Sequence, residues 1–385
     1  MNSTESVRGR IALMAAHCAG MVDLVALPVW VGALIGRYGF DPQQAGALAT
    51  LFLLGAVLAS SALAPQLARV LGRLVPTVGF GVAAAAFALA SGAAEFGRMA
   101  LLHGIAGVAT GAALSVTHGT IARSPRPHRL FAIVGTSLGV FAVAFLGITP
   151  RLVEAYGGPA LFRVFATVMA AAALVAAVAF PLPEGERSSR ARAPVAALAS
   201  VVWFGVAGIA GMSLVQAMTF AFLERVGIDH GFGGAAVAAV LVALGIVNLF
   251  PAPLAALFER RLGARSVMLA GPVLQAVIVL VIMNATSYAA YAAAAAVFAA
   301  VMIFTHTFAF GLLAKLDTSG RALAATPAMT MIGAACGPIL GGTLVKTSGY
   351  GSLGLAACAI AAVACACFTR LPVPPSRIAS KEVPA

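Results

Sequence analysis

R-Y-G-F-D-P-Q-Q-A-G-A (37–47) closes one long apolar run and opens the next, and R-V-G-I-D-H-G-F-G-G-A (225–235) does the same in the second half of the chain. Two further pairs keep nearly the same offset: A-G-M at 19–21 and 210–212, and R-V-L-G-R at 69–73 against R-R-L-G-A at 260–264. Three matches in order at a near-constant separation are the mark of a duplicated unit, so the chain is expected to be two copies of one architecture.

The material between these loops is almost entirely apolar. Of 385 residues, 61% are hydrophobic and 9% charged, and the mean hydropathy is +1.01. Soluble domains run at about 45–50% apolar and about 25% charged, so water-facing domains are excluded. Stretches of roughly 20 apolar residues, each enough to cross a ~30 Å hydrocarbon core as a helix, occupy 11–35, 43–67, 74–94, 99–122, 131–150, 160–181, 197–222, 233–257, 266–284, 288–314, 322–345 and 351–369. The expected fold is an all-α membrane protein of twelve transmembrane helices in two pseudo-symmetric six-helix bundles, 1–182 and 197–385. The polar, basic stretch 183–196 links them. The first run is too long for a cleaved signal peptide and has no soluble domain behind it.

Net charge is +12, but the cations sit in short loops rather than on one face. Placing the N-terminus in the cytoplasm puts eighteen of the 24 Lys and Arg on that side. This asymmetry predicts both termini inside the inner membrane of a bacterium and excludes a nucleic-acid partner. The five cysteines all lie in apolar runs without a C-x-x-C pair, so neither a disulfide framework nor a metal site is expected. No phosphate loop, H-E-x-x-H or paired carboxylates appear, which excludes ATP-driven transport on this chain and catalysis. No cofactor is called for, and a monomer surrounded by lipid is expected.

Paired halves, a basic central loop and the loop motifs resemble the major facilitator superfamily over essentially the whole chain. The sharpest likeness is G-A-A-C-G-P-I-L-G-G (333–342) in the eleventh span, which fits G-x-x-x-G-P-x-x-G-G at Gly333, Gly337, Pro338, Gly341 and Gly342. In the drug–proton antiporter branch that signature belongs to the fifth span, where this chain has only Gly135 and Gly139. H-G-I-A-G-V-A-T-G-A-A-L (103–114) is similar to the superfamily's R-x-x-x-G-x-x-x-G-A helix, with His103 replacing the arginine. The loop ending Gly72 and Arg73 is similar to G-x-x-x-D-R-x-G-R, with Arg69 at the aspartate position; its twin carries Glu259, Arg260 and Gly263. The resemblance implies rocking motions of two bundles around a central site. The small-residue signature implies close helix contact and a hinge at Pro338.

Of the twelve acidic residues, only Asp23 is read as lying well inside an apolar span. A charge there costs ~2.5–3.5 kcal/mol on insertion scales, so it needs a partner, water or a proton. Gly20, Ala19, Ala16 and Ala12 share its helical stripe, which predicts a face turned to the bundle interior. Asp23 is the expected proton carrier, and His103 on the fourth span is a second titratable candidate. His17 lies about 120° around the first helix from Asp23, so the two are not an intrahelical pair. His17, Met212, Gln216, Thr219, Asn248 and His306 are expected to line an adaptable, mostly apolar cavity.

These features predict a proton-coupled secondary transporter exporting a small, largely apolar organic solute. Uptake of a small organic acid is the alternative, and it would call for a buried arginine as carboxylate partner. A scaffold or lipid scramblase with the same fold is a further alternative. Asp41 and Asp229 are expected to cap the second and eighth spans, and Arg37 and Arg225 to follow the first and seventh. The two loops are then placed to meet across the pseudo-twofold axis as a gate.

Overall fold

The computed structural model describes residues 3–63, 66, 72–181, 200–259, 261–316 and 321–372, with backbone alone at 128, 200, 314–315 and 321–329. The linker 183–196, Arg69 and Arg260 lie outside the described residues. The described residues hold fourteen helices: α1 (Val7–Gly20), α2 (Val22–Tyr38), α3 (Pro42–Leu63), α4 (Leu74–Ala90), α5 (Phe96–Ala122), α6 (Pro127–Tyr156), α7 (Pro159–Ala179), α8 (Ser200–Asp229), α9 (Gly234–Val247), α10 (Pro251–Phe258), α11 (Ala264–Asn284), α12 (Tyr288–Leu316), α13 (Arg321–Ser348) and α14 (Gly351–Thr369).

Fourteen helices make twelve spans because the first and eighth are each broken. α1 ends at Gly20, and Met21 (φ −109°, ψ 21°) turns the chain into α2. In the eighth span the N–H of Leu249 donates to Ile246 and that of Phe250 to Val247, both at 3.1 Å. This tighter i→i−3 turn then meets Pro251, which supplies no N–H to continue the ladder. Elsewhere the spans are single helices, and the expected twelve-span architecture is the one observed.

Lipid offers no hydrophobic drive between helices, so backbones approach where side chains are small. In the first half, a Cβ on Gly107 or Gly111 of α5 would strike the backbone of Phe52 or Ala56 of α3. In the second half, Gly333 and Gly337 of α13 lie against the backbone at Ala210 and Met218 of α8. The same signature turns its other face to the first bundle: Gly342 meets the Pro42 carbonyl, and the Pro338 carbonyl meets Gly46 of α3. The N–H of Ile339 donates to Thr50 Oγ1 at 3.2 Å across that junction. α13 is therefore packed by glycines on both sides.

Three helix pairs join the bundles: α3 with α13, α2 with α8, and α6 with α9. The seam is shut at the end carrying Asp41 and Asp229, called the Asp41 end below; both chain termini lie at the opposite end. There Glu5 accepts from Arg10 at 2.8 Å and from Arg126 at 2.5 Å, tying the start of α1 to the α5–α6 turn. The Arg126 and Arg10 hydrogen bonds hold the Glu5 carboxyl below its ordinary range.

Candidate functional site in the two bundles

Asp23 stands directly after the break between α1 and α2, in the first turn of α2. The backbone N–H groups of Asp23 and Leu24 lie against its carboxylate, at the positive end of the helix. No ion pair reaches it among the described residues. The stripe beneath it behaves as its composition predicts: Ala12, Ala16, Ala19 and Gly20 are buried, and Gly20 packs on Leu114 of α5. The break interrupts the helical register before Asp23, however, so the stripe does not itself orient the carboxylate, which is half-buried.

His103 lies in the aromatic centre of the first bundle, with no solvent exposure. Its Nδ1 is 2.7 Å from the Met99 carbonyl, and the Trp30 indole N–H donates to its Nε2 at 3.2 Å. Together these describe the neutral Nδ1–H tautomer, since a charged ring would have no acceptor for Trp30. Phe87 and Phe162 pack edge-on to the ring, with centroids 6.2 and 5.4 Å away.

His17 of α1 meets His118 of α5, Nδ1 to Nε2, at 3.0 Å. One nitrogen must carry a proton and the other a lone pair, so the pair shares a single proton between two spans that are 101 residues apart in sequence. His306 keeps its Nδ1 2.9 Å from the Met302 carbonyl on its own helix, and its ring sits 4.9 Å from that of Phe310.

In the second bundle Gln275 of α11 donates at 3.2 Å to both the Met212 carbonyl and Gln216 Oε1 of α8. Met212 is buried, so it contributes its carbonyl and packing volume there. Thr219 Oγ1, on the same helix, and Asn248 Oδ1, at the break of the eighth span, are buried polar atoms without a hydrogen-bond partner among the described residues. Buried polar atoms are rarely left unpaired, and none of the described residues offsets the desolvation cost of these two.

At the Asp41 end the two repeated loops differ. Asp41 Oδ1 accepts from the Gln44 N–H at 2.9 Å, and Gln44 Oε1 accepts from the Asp41 N–H at 3.2 Å: a reciprocal capping box on α3. Gly39 supplies the left-handed turn (φ 71°) ahead of it. Asp229 does not cap the eighth span. α8 runs through it and Gly233 occupies the cap of α9, because Asp229 is drawn back by Arg225 one turn earlier, Nη2 to Oδ1 at 2.7 Å. Tyr350 also donates to Asp229 at 2.7 Å. Across the seam, Lys346 of α13 donates to Asp41 Oδ2 at 2.9 Å and to Gln43 at 3.2 Å. Arg225 lies over Gly36 of α2, where a Cβ would be 3.1 Å from its Nη1. The two aspartates do not meet: Lys346 of α13 reaches Asp41, and Arg225 lies over α2.

At the other end, Arg73 reaches the Phe180 carbonyl at 3.4 Å, and Gly263 occupies the N-cap of α11.

The model of the Major Facilitator Superfamily matches residues 12–315. The chain belongs to that superfamily. Among solved structures, a D-xylose–proton symporter is 14% identical with a TM-score of 0.77, covering 94% of this chain and 97% of its own. The nucleoside transporter NupG is 14% identical with a TM-score of 0.74, over 94% and 98%. A bacterial homologue of the human lysosomal transporter Spinster, inward-facing and occupied, is 15% identical with a TM-score of 0.69, over 94% and 93%. At these identities the likeness is one of fold. No curated protein matches the chain. As a superfamily member the protein is a multi-pass membrane transporter of small solutes and not an enzyme.

This transporter has a second carboxylate within a long apolar helix, at the seam between the bundles. The apolar pattern places the end of the seventh span at 222, which leaves Glu224 in a loop; α8 instead continues to Asp229. Glu224 points at Gly32 of α2, where a Cβ would lie 2.5 Å from its Oε2, and that oxygen is buried with no hydrogen-bond partner among the described residues. The signal in the sequence is Gly32 and Gly36, a small-x-x-x-small pair on α2 facing Glu224 and Arg225.

Proposed function

We propose that the protein is a proton-coupled secondary transporter that exports a small, largely apolar organic solute by alternating access. Asp23 carries the reading. It is a carboxylate inside the first span, at a helix break, with no cation paired to it among the described residues. Such a group exchanges a proton readily with whichever side the cavity faces. The cavity is assigned to His17, Met212, Gln216, Thr219, Asn248 and His306, with the unpartnered Thr219 and Asn248 oxygens as its polar anchors.

His103 is assigned to packing of the first bundle rather than to proton transfer, because both its ring nitrogens are engaged. Export is favoured over uptake of an acid. Arg98 and Arg163 are exposed, so neither can serve as a buried partner for a substrate carboxylate. The loop charges favour both termini in the cytoplasm, which would turn the Asp41 end outward from a bacterial inner membrane, with the protein acting as a monomer.

The experiment is solute flux in proteoliposomes with and without a pH gradient. Flux driven by the gradient and abolished as a coupled process in Asp23→Asn is the expected result. Gradient-independent flux, or normal coupling in Asp23→Asn, would overturn the proton reading. Saturable binding of a small carboxylate in place of apolar compounds would favour uptake.

A further inference from the structure

We propose that Glu224 is a second proton-binding site, set in the α2–α8 seam, whose protonation latches the Asp41 end shut. This rests on the alternating-access reading and adds a group to it that belongs to the gate and not to the cavity.

Three observations carry the inference. Glu224 Oε2 is buried and has no donor among the described residues. Gly32 on the opposite bundle makes the space for it, since any side chain would drive a Cβ to 2.5 Å from Oε2 and 3.0 Å from Cδ. And α2 and α8 belong to different bundles, so the carboxyl is covered only while the bundles meet at this end. Glu224 is half-buried, and an ionised carboxylate with one oxygen shut away and unbonded is unfavourable, whereas the neutral acid fits the same space at smaller cost. Opening the seam gives Glu224 water, and its proton then passes to water at the Asp41 end; closing requires that proton back.

The charged and titratable groups around it do not remove this requirement. Arg37 of α2 and Arg225 of α8 are the cations nearest Glu224. Arg225 is already bound to Asp229, and Arg37 is exposed. From α12, Tyr291 donates its hydroxyl to the Leu223 carbonyl at 2.7 Å and Tyr288 donates to Ala236. From α13, Lys346 is held by Asp41, and Tyr350 at the start of α14 is held by Asp229. Asp23 stands on the same helix as Gly32 but nine residues earlier, about 13 Å along the axis, so the two carboxylates are separate sites.

The test uses the full chain in lipid, with its native cysteines replaced and spin labels attached at Tyr156→Cys and Ser348→Cys, both at the Asp41 end in opposite bundles. Distances are read against pH without solute or gradient. The expected result is a distance that widens as pH rises in the parent, and a short, pH-independent distance in Glu224→Gln. Gly32→Ala, which expels the carboxyl from the seam without touching it chemically, should lose the short distance at every pH. A pH response that is unchanged in Glu224→Gln, or normal closure in Gly32→Ala, would overturn the latch. Flux without proton coupling would instead defeat the Asp23 reading and leave the latch standing. A distance that stays short at every pH in the parent would overturn the latch.

Discussion

Lys346 of α13 donates to Asp41 ahead of α3 at 2.9 Å, joining the second bundle to the first at the rim of the closed seam. Asp41 is 34% and Lys346 45% exposed, so the pair is solvent-screened and worth only ~0–1 kcal/mol. Such an energy is too small to hold the fold but large enough to bias two conformers. Asp41→Asn is the informative change, because asparagine preserves the cap on α3 while removing the charge. It should raise labelling of a cysteine at this end by up to about fivefold, the equivalent of ~1 kcal/mol. Lys346→Ala should do the same, and the double variant should add little beyond either. Burial alone would raise the Asp41 carboxyl, but the Lys346 hydrogen bond and the Gln44 N–H together hold it below its ordinary value. A lowered carboxylate keeps its contribution above about pH 4 and loses it as pH falls through the lowered value. Acid, not alkali, should therefore weaken this contact, the opposite direction to that expected of Glu224.

The glycines of α13 serve two different interfaces and should separate in their effects. Gly333 packs on the Ala210 backbone within its own bundle. Gly333→Ala should lower thermal stability, with a cost on the order of 1–3 kcal/mol for overpacking. Gly342 and Gly46 instead meet carbonyls of the other bundle, Pro42 and Pro338. Gly342→Ala and Gly46→Ala should leave each bundle intact and prevent the Asp41 end from closing. Thermal unfolding and cysteine accessibility, measured on the same set, check both halves; equal loss of stability in all three would refute the distinction.

The twelve spans and their pairing were legible because a 20-residue apolar run has few other readings and the loop repeats fix the halves. The breaks were less so. Met21 carries no proline or capping side chain to announce it, and only Pro251 marks the second break. The apolar pattern ends the seventh span too early because Glu224 and Arg225 look like the polar start of a loop. In the fold α2 covers them with Gly32 and Gly36, which a single helix cannot reveal. The repeat with Asp41 predicts a cap at Asp229, but Arg225 at i−4 and Tyr350, ahead of α14, compete for it. The His17–His118 contact links spans 101 residues apart and has no local signature.

His103 offers a clean distinction between packing and proton transfer. Its two nitrogens are satisfied by Met99 and Trp30 inside an aromatic core. His103→Phe would leave the Trp30 N–H buried without an acceptor, a cost of about 1–3 kcal/mol. The expected outcome is a lowered unfolding temperature with the pH dependence of transport retained. His103→Gln, which can still accept from Trp30, should recover part of the stability. A variant that folds normally yet loses its dependence on the proton gradient would return His103 to the coupling machinery.

Thr219 is where stability and binding should part company. Its hydroxyl is buried on α8 and has no hydrogen-bond partner among the described residues, so a desolvation cost is left without a hydrogen bond to offset it. Thr219→Val removes the hydroxyl at nearly constant volume. On folding grounds alone it should be neutral or stabilising, by up to ~1 kcal/mol. If the hydroxyl is an anchor for the solute, the same change should weaken solute binding by roughly tenfold, since a lost hydrogen bond of ~1.4 kcal/mol corresponds to that factor. Asn248→Leu at the break of the eighth span, with its Oδ1 likewise unpartnered, should follow the same pattern. Thermal unfolding with and without solute reads both quantities at once. The expected signature is an apo transition that holds or rises while the solute-induced increase shrinks. An apo transition that falls would mean the two oxygens have partners in the fold, and an unchanged solute-induced increase would remove them from the cavity.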